Sequence, residues 1–93
     1  MVNLSTILIT SNSTLDDQYG VYVIDATSQN LTLTLTDITS YDGTYLIVKR
    51  IDSSANTVTI EGSNSQTING SSTLVLAPSS RQSLVSLGNA WYY

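Results

Sequence analysis

The chain alternates most plainly at Leu31-Thr32-Leu33-Thr34-Leu35-Thr36, where three leucines fall on one parity and three threonines on the other. A period of two over six residues predicts a strand with one apolar and one hydroxyl face. Shorter segments of similar character are separated by polar breaks: Leu4 to Thr10, Val21 to Asp25, Thr44 to Ile51, Thr57 to Glu61, Thr73 to Ala77, Gln82 to Leu87 and Ala90 to Tyr93. The breaks include Asp42-Gly43, Asn69-Gly70 and Gly88-Asn89, pairs that tolerate the positive φ of tight hairpin turns. No segment of helical length carries a 3.6-residue period, and the only helix allowed for is a single turn around Ser13 to Tyr19. The pattern predicts one all-β domain over residues 1–93, a compact antiparallel sandwich or prism-like arrangement of about eight or nine short strands. No fixed-period repeat of the solenoid kind can be aligned.

Val21-Tyr22-Val23-Ile24 and Tyr45-Leu46-Ile47-Val48 break the alternation, because both parities are apolar. Both faces of such a strand must avoid water. Either these strands lie between two layers of one copy, or a neighbouring copy covers the second face. The expectation here is association, since the chain has no cysteine and so lacks the disulfide staple on which many small scaffolds depend. Two apolar rows are candidates for the seam between copies: Leu31, Leu33 and Leu35, and Val58, Ile60 and Ile68. Either could equally be the core of one copy.

Composition narrows the function. Serine and threonine make up 28 of 93 residues, whereas charged residues are only 11%. With net charge -4 and three basic residues, the chain has no electrostatic footprint for nucleic acid or for an anionic membrane. Its apolar runs are too short to span a bilayer, and Ile7 to Ile9 is too short for the core of a secretory signal. Neither a nucleic-acid partner nor membrane insertion is expected.

Histidine and cysteine are both absent, which removes the commonest general base, zinc ligands and thiol nucleophile. A paired-carboxylate mechanism could draw only on Asp16, Asp17, Asp25, Asp37, Asp42, Asp52 and Glu61, and most of these fall at strand ends and turns. No catalytic, cofactor-binding or metal-binding residue is predicted. Asp16-Asp17 lacks the spaced oxygen ligands of a calcium loop, and ion pairing or solvent is the expected setting for Lys49 and Arg50. Four Asn-x-Ser/Thr sequons, at Asn3, Asn12, Asn30 and Asn69, are expected by chance in so Asn-, Ser- and Thr-rich a chain. The closing Trp91-Tyr92-Tyr93 offers two alternatives: Trp91 caps the core as the last strand closes, or Trp91 and Tyr92 form a sugar-stacking platform.

Val23-Ile24-Asp25-Ala26-Thr27 is followed by Asn30 to Leu35, by Tyr45 to Ile60, by Thr67-Ile68-Asn69-Gly70, by Leu74 to Leu76, and by Ser83 to Leu87 running into Gly88-Asn89-Ala90-Trp91-Tyr92. This series resembles the small β-domains of bacteriophage tail and head fibre proteins and of surface proteins of chlorella-virus type, over residues 21 to 93. The resemblance implies a homotrimer packed about a threefold axis, a structural place in a virion fibre, spike or capsid surface, and attachment to a host cell-surface glycan as a further role. It carries over no catalytic or receptor-contact residue. Residues 1 to 20 lie outside it and are read as a variable strand or a stub of a longer protein.

Overall fold

In a computed structural model of the chain, the residues described are 5–16, 20–38 and 43–93. They hold ten strands and no helix: β1 (Thr6–Ile9), β2 (Ser13–Leu15), β3 (Val21–Ile24), β4 (Leu31–Leu35), β5 (Tyr45–Arg50), β6 (Val58–Glu61), β7 (Thr67–Ile68), β8 (Thr73–Val75), β9 (Arg81–Leu87) and β10 (Ala90–Tyr92). These form two layers, a six-stranded sheet ordered β1-β3-β5-β9-β10-β7 and a four-stranded sheet ordered β2-β4-β6-β8.

The all-β expectation holds, but the sheets are mixed rather than antiparallel. Parallel pairs join β1 to β3 and β3 to β5 in one layer, and β2 to β4 and β4 to β6 in the other. The chain crosses from one sheet to the other after each of the first six strands, so successive passes stack like coils of a solenoid. A strand in the opposite layer therefore supplies the crossover that a parallel pair requires, where a helix is more usual. Coil lengths differ: Thr6 stacks on Val21, but Val21 stacks on the much more distant Ile47. Hence no fixed period exists in the sequence. Antiparallel pairs β6–β8, β5–β9 and β9–β10 then extend the sheets, and a parallel pair of β10 with β7 ends the six-stranded one.

Ser13–Leu15, within the segment allowed a helical turn, is instead strand β2, because Leu15 enters the core while Thr14 faces out. Asp17 to Tyr19, Asn3, Leu4 and Asp42 lie outside the described residues.

Side asparagines tie the coils together where the four-stranded sheet begins. The Asn12 carboxamide oxygen accepts the Thr32 N–H at 2.9 Å, and Asn30 accepts the Thr57 N–H at 2.9 Å. Asn69 (φ 50°) and Gly70 (φ 83°) make the two-residue turn between β7 and β8, with both φ positive as a type I′ turn needs.

The core lies between the layers. Tyr22, Ile24, Leu46, Val48, Leu84 and Trp91 descend from the larger sheet and meet Leu15, Leu31, Leu33, Leu35, Val58 and Ile60 from the smaller one. Burying each such side chain removes about 1.5–3 kcal/mol of exposure cost. Gly62 marks a close approach at the turn after β6: a Cβ there would sit 2.3 Å from the Gln66 carbonyl oxygen. Gly62→Ala is therefore expected to force that turn open and lower stability by about 1–3 kcal/mol, as overpacking does. Thermal unfolding checks this, and an unchanged melting temperature would contradict the contact.

Candidate functional site

The slab measures 35 × 34 × 18 Å, so the outer faces of its two sheets are its broad surfaces. Their chemistry is opposite. On the four-stranded sheet the outward rows are Thr14–Thr34–Glu61–Thr73 and Thr32–Thr59–Val75, nearly all hydroxyl. Asn12, Ser13, Thr14, Thr32, Thr34 and Glu61 line a shallow polar depression of about 450 Å³ there. The Thr34 hydroxyl donates to Glu61 at 3.1 Å.

The six-stranded sheet presents the reverse. Its strands keep their alternation, but residues of both parities are apolar, so the outward rows become Thr6–Val21–Ile47–Ser83, Leu8–Val23–Lys49–Arg81, Tyr45–Val85–Tyr92 and Leu87–Ala90. Leu8 (57%), Tyr45 (54%), Val85 (40%), Leu87 (64%) and Tyr92 (46%) are exposed, and Val21, Val23, Ile47 and Ala90 lie half-buried among them. At these exposures the five large side chains present on the order of 600 Å², at the top of the roughly 300–600 Å² of the largest patch on a typical monomer. The apolar second faces of β3 and β5 lie on this outer face, which no described residue covers.

The seam candidates lie elsewhere. Leu31, Leu33, Leu35, Val58, Ile60 and Ile68 are all buried within one copy, because each points into the gap between the layers. Trp91 is also fully buried, as a core cap, and its indole has no face available for sugar stacking. Tyr92, one residue on, is exposed on the outer apolar face beside Val85. Distant strands contribute the exposed row of Tyr45, Val85 and Tyr92, which sequence reasoning did not assemble.

At one end of the core sits a buried ion pair. The Arg50 guanidinium donates to both Asp52 carboxylate oxygens at 3.1 Å, to the Leu76 carbonyl at 2.9 Å and to the Asn56 carbonyl. Asp52 also accepts the Ala26 N–H at 2.9 Å and the Ser54 hydroxyl at 2.6 Å. The Arg50 pairing holds the Asp52 carboxyl well below the usual carboxylate range against the opposing effect of burial, with the Ala26 and Ser54 bonds adding to it. This cluster locks the turns after β3, β5 and β8 and leaves Arg50 no free donor face for a phosphate. Ion pairing is thus the setting of Arg50, as expected. Lys49 faces outward and donates to the Ser79 carbonyl at 3.0 Å.

The remaining described carboxylates are held by neighbouring side chains and backbone. Asp25 accepts Thr27, Asp37 accepts Asn64 and Gln66, and Asp16 lies beside the Tyr22 hydroxyl. Among the described residues no group of three or more carboxylates converges on a metal position. Sequon residues Asn12, Asn30 and Asn69 are engaged through their carboxamides with backbone, Asn69 with Tyr93.

Compared with known proteins, the chain matches no family model, no curated protein and no solved structure. Its outer faces must be interpreted from their own chemistry.

Proposed function

We propose that the chain is a structural module that works by associating with copies of itself. The single observation that supports it is the apolar outer face of the six-stranded sheet, which no described residue of the same copy covers. Removing such area from water is worth about 25 cal/mol per Å² before the costs of association are subtracted. A homotrimer, in a viral fibre, spike or capsid-surface protein at the virion, is the setting implied by the resemblance in segment order over residues 21 to 93. Assembly needs no cofactor and no catalytic group.

Val85 is exposed between Tyr45 and Tyr92, so a charge there should disrupt association without entering the core. Val85→Asp is expected to sediment as a 10.0 kDa monomer with its circular dichroism retained, where the parent sediments as a larger species. Unchanged mass in the variant would move the contact to another surface.

A host-glycan role would rest on Tyr45 and Tyr92, the aromatics of this face that are exposed, and not on Trp91. A glycan array separates the two: binding lost in Tyr92→Ala with the oligomer intact favours recognition, and silence leaves assembly alone.

A further inference from the structure

The apolar face carries an electrostatic feature that packing within one copy does not explain. The chain has three basic residues, and Arg50 is consumed by the buried ion pair. The other two, Lys49 on β5 and Arg81 on β9, stand directly opposite each other in the antiparallel ladder on the outer face. Like charges in directly paired positions are destabilising. Val23 and Leu8 complete their row, and no carboxylate occupies any outward row of this sheet. Asp25, just past the end of β3, is turned to the Thr27 N–H and hydroxyl. Lys49 reaches aside to the Ser79 carbonyl, and Arg81 makes no side-chain hydrogen bond to a described residue. In a chain of net charge -4, both accessible cations are thus gathered on the one face that is otherwise apolar.

We infer that the occupant of this face is an acidic surface of a second copy, which Lys49 and Arg81 engage while Tyr45, Val85 and Tyr92 supply the apolar contact. The inference rests on the self-association proposed above and specifies its contact. Two observations select a second copy. The exposed apolar area, on the order of 600 Å², approaches the ~800 Å² per partner of a standard interface. The charges are also complementary in sign, since each copy carries a net charge of -4 and its described carboxylates lie off the outward rows of this sheet. Such a contact joins unlike surfaces, and repetition of a heterologous contact closes into a ring when the rotation allows. Stacking this face on itself would instead leave both cation pairs without an acidic counterpart.

The alternative role for the pair is to keep the apolar face apart from other molecules, as charges on exposed sheets often do. The two roles predict opposite signs. Sedimentation equilibrium of the full chain and of Lys49→Gln/Arg81→Gln, at about 0.02 and 0.5 M NaCl, separates them. The expected result is an oligomer whose dissociation constant rises at least about tenfold in the double variant, with the parent weakening in high salt and the variant far less sensitive. Equal or tighter association of the variant overturns the inference while leaving self-association standing. A parent that is monomeric throughout removes both.

Discussion

Asp52→Ala is expected to lower folding stability by about 3–5 kcal/mol, because it leaves the buried Arg50 guanidinium without its counter-ion. Both side chains are almost wholly excluded from solvent, at 2% and 4% exposure. The variant would keep the Leu76 and Asn56 carbonyls as acceptors for Arg50, but would strip Ala26 N–H and the Ser54 hydroxyl of their shared acceptor. A small domain has only about 5–15 kcal/mol in total, so urea unfolding should show a large drop in midpoint. The pH dependence has a definite sign. Asp52 titrates lower folded than unfolded, so its contribution is complete above the unfolded value of about 3.9 and is lost as pH falls toward the depressed folded value. The parent should lose stability on acidification below about pH 4 more steeply than Asp52→Ala. Parallel curves would mean the pair does not set acid stability.

Trp91 is the second position of large effect. It is the largest fully buried side chain and sits on β10 between Ser86 of β9 and Ile68 of β7. Trp91→Ala is expected to cost about 3–5 kcal/mol through the cavity it leaves. Trp91→Phe should cost much less than alanine, since the indole Nε1 has no hydrogen-bond partner among the described residues and its removal relieves an unsatisfied donor. Thermal melts of the pair test this. A phenylalanine variant as damaged as the alanine one would show that the indole N–H is satisfied in solution.

The strands were legible where side-chain parity carries the information. Leu31, Leu33 and Leu35 enter the core as their alternation predicts, and the double-sided character of Val21 to Ile24 and Tyr45 to Val48 correctly marks strands whose outer residues are not solvent-type. Strand direction was not legible. Alternation is the same for parallel and antiparallel partners, and the unequal coil lengths hide the stacking of β1 on β3 on β5. Three residues of β2 are too short for a periodic signal, so the sequence allows no more than a single helical turn around Ser13 to Tyr19 where the strand lies. The burial of Arg50 was also hidden, since only the fold brings the Asp52 carboxylate and the Leu76 carbonyl to it.

The surface was half legible for the same reason. That β3 and β5 have apolar second faces follows from their own residues, whereas Leu8, Val85, Leu87 and Tyr92 join that face only through pairing with β1, β9 and β10. Parity alone leaves the rows Leu31-Leu33-Leu35 and Val58-Ile60-Ile68 open between seam and core, and the second layer places both in the core. Composition could count three cations, but it could not place two of them side by side.

Self-association through the outer face of the six-stranded sheet is read from the mass of the parent chain in solution. Light scattering coupled to size exclusion at micromolar concentration should give about three times 10.0 kDa. A clean 10.0 kDa monomer under those conditions would contradict it.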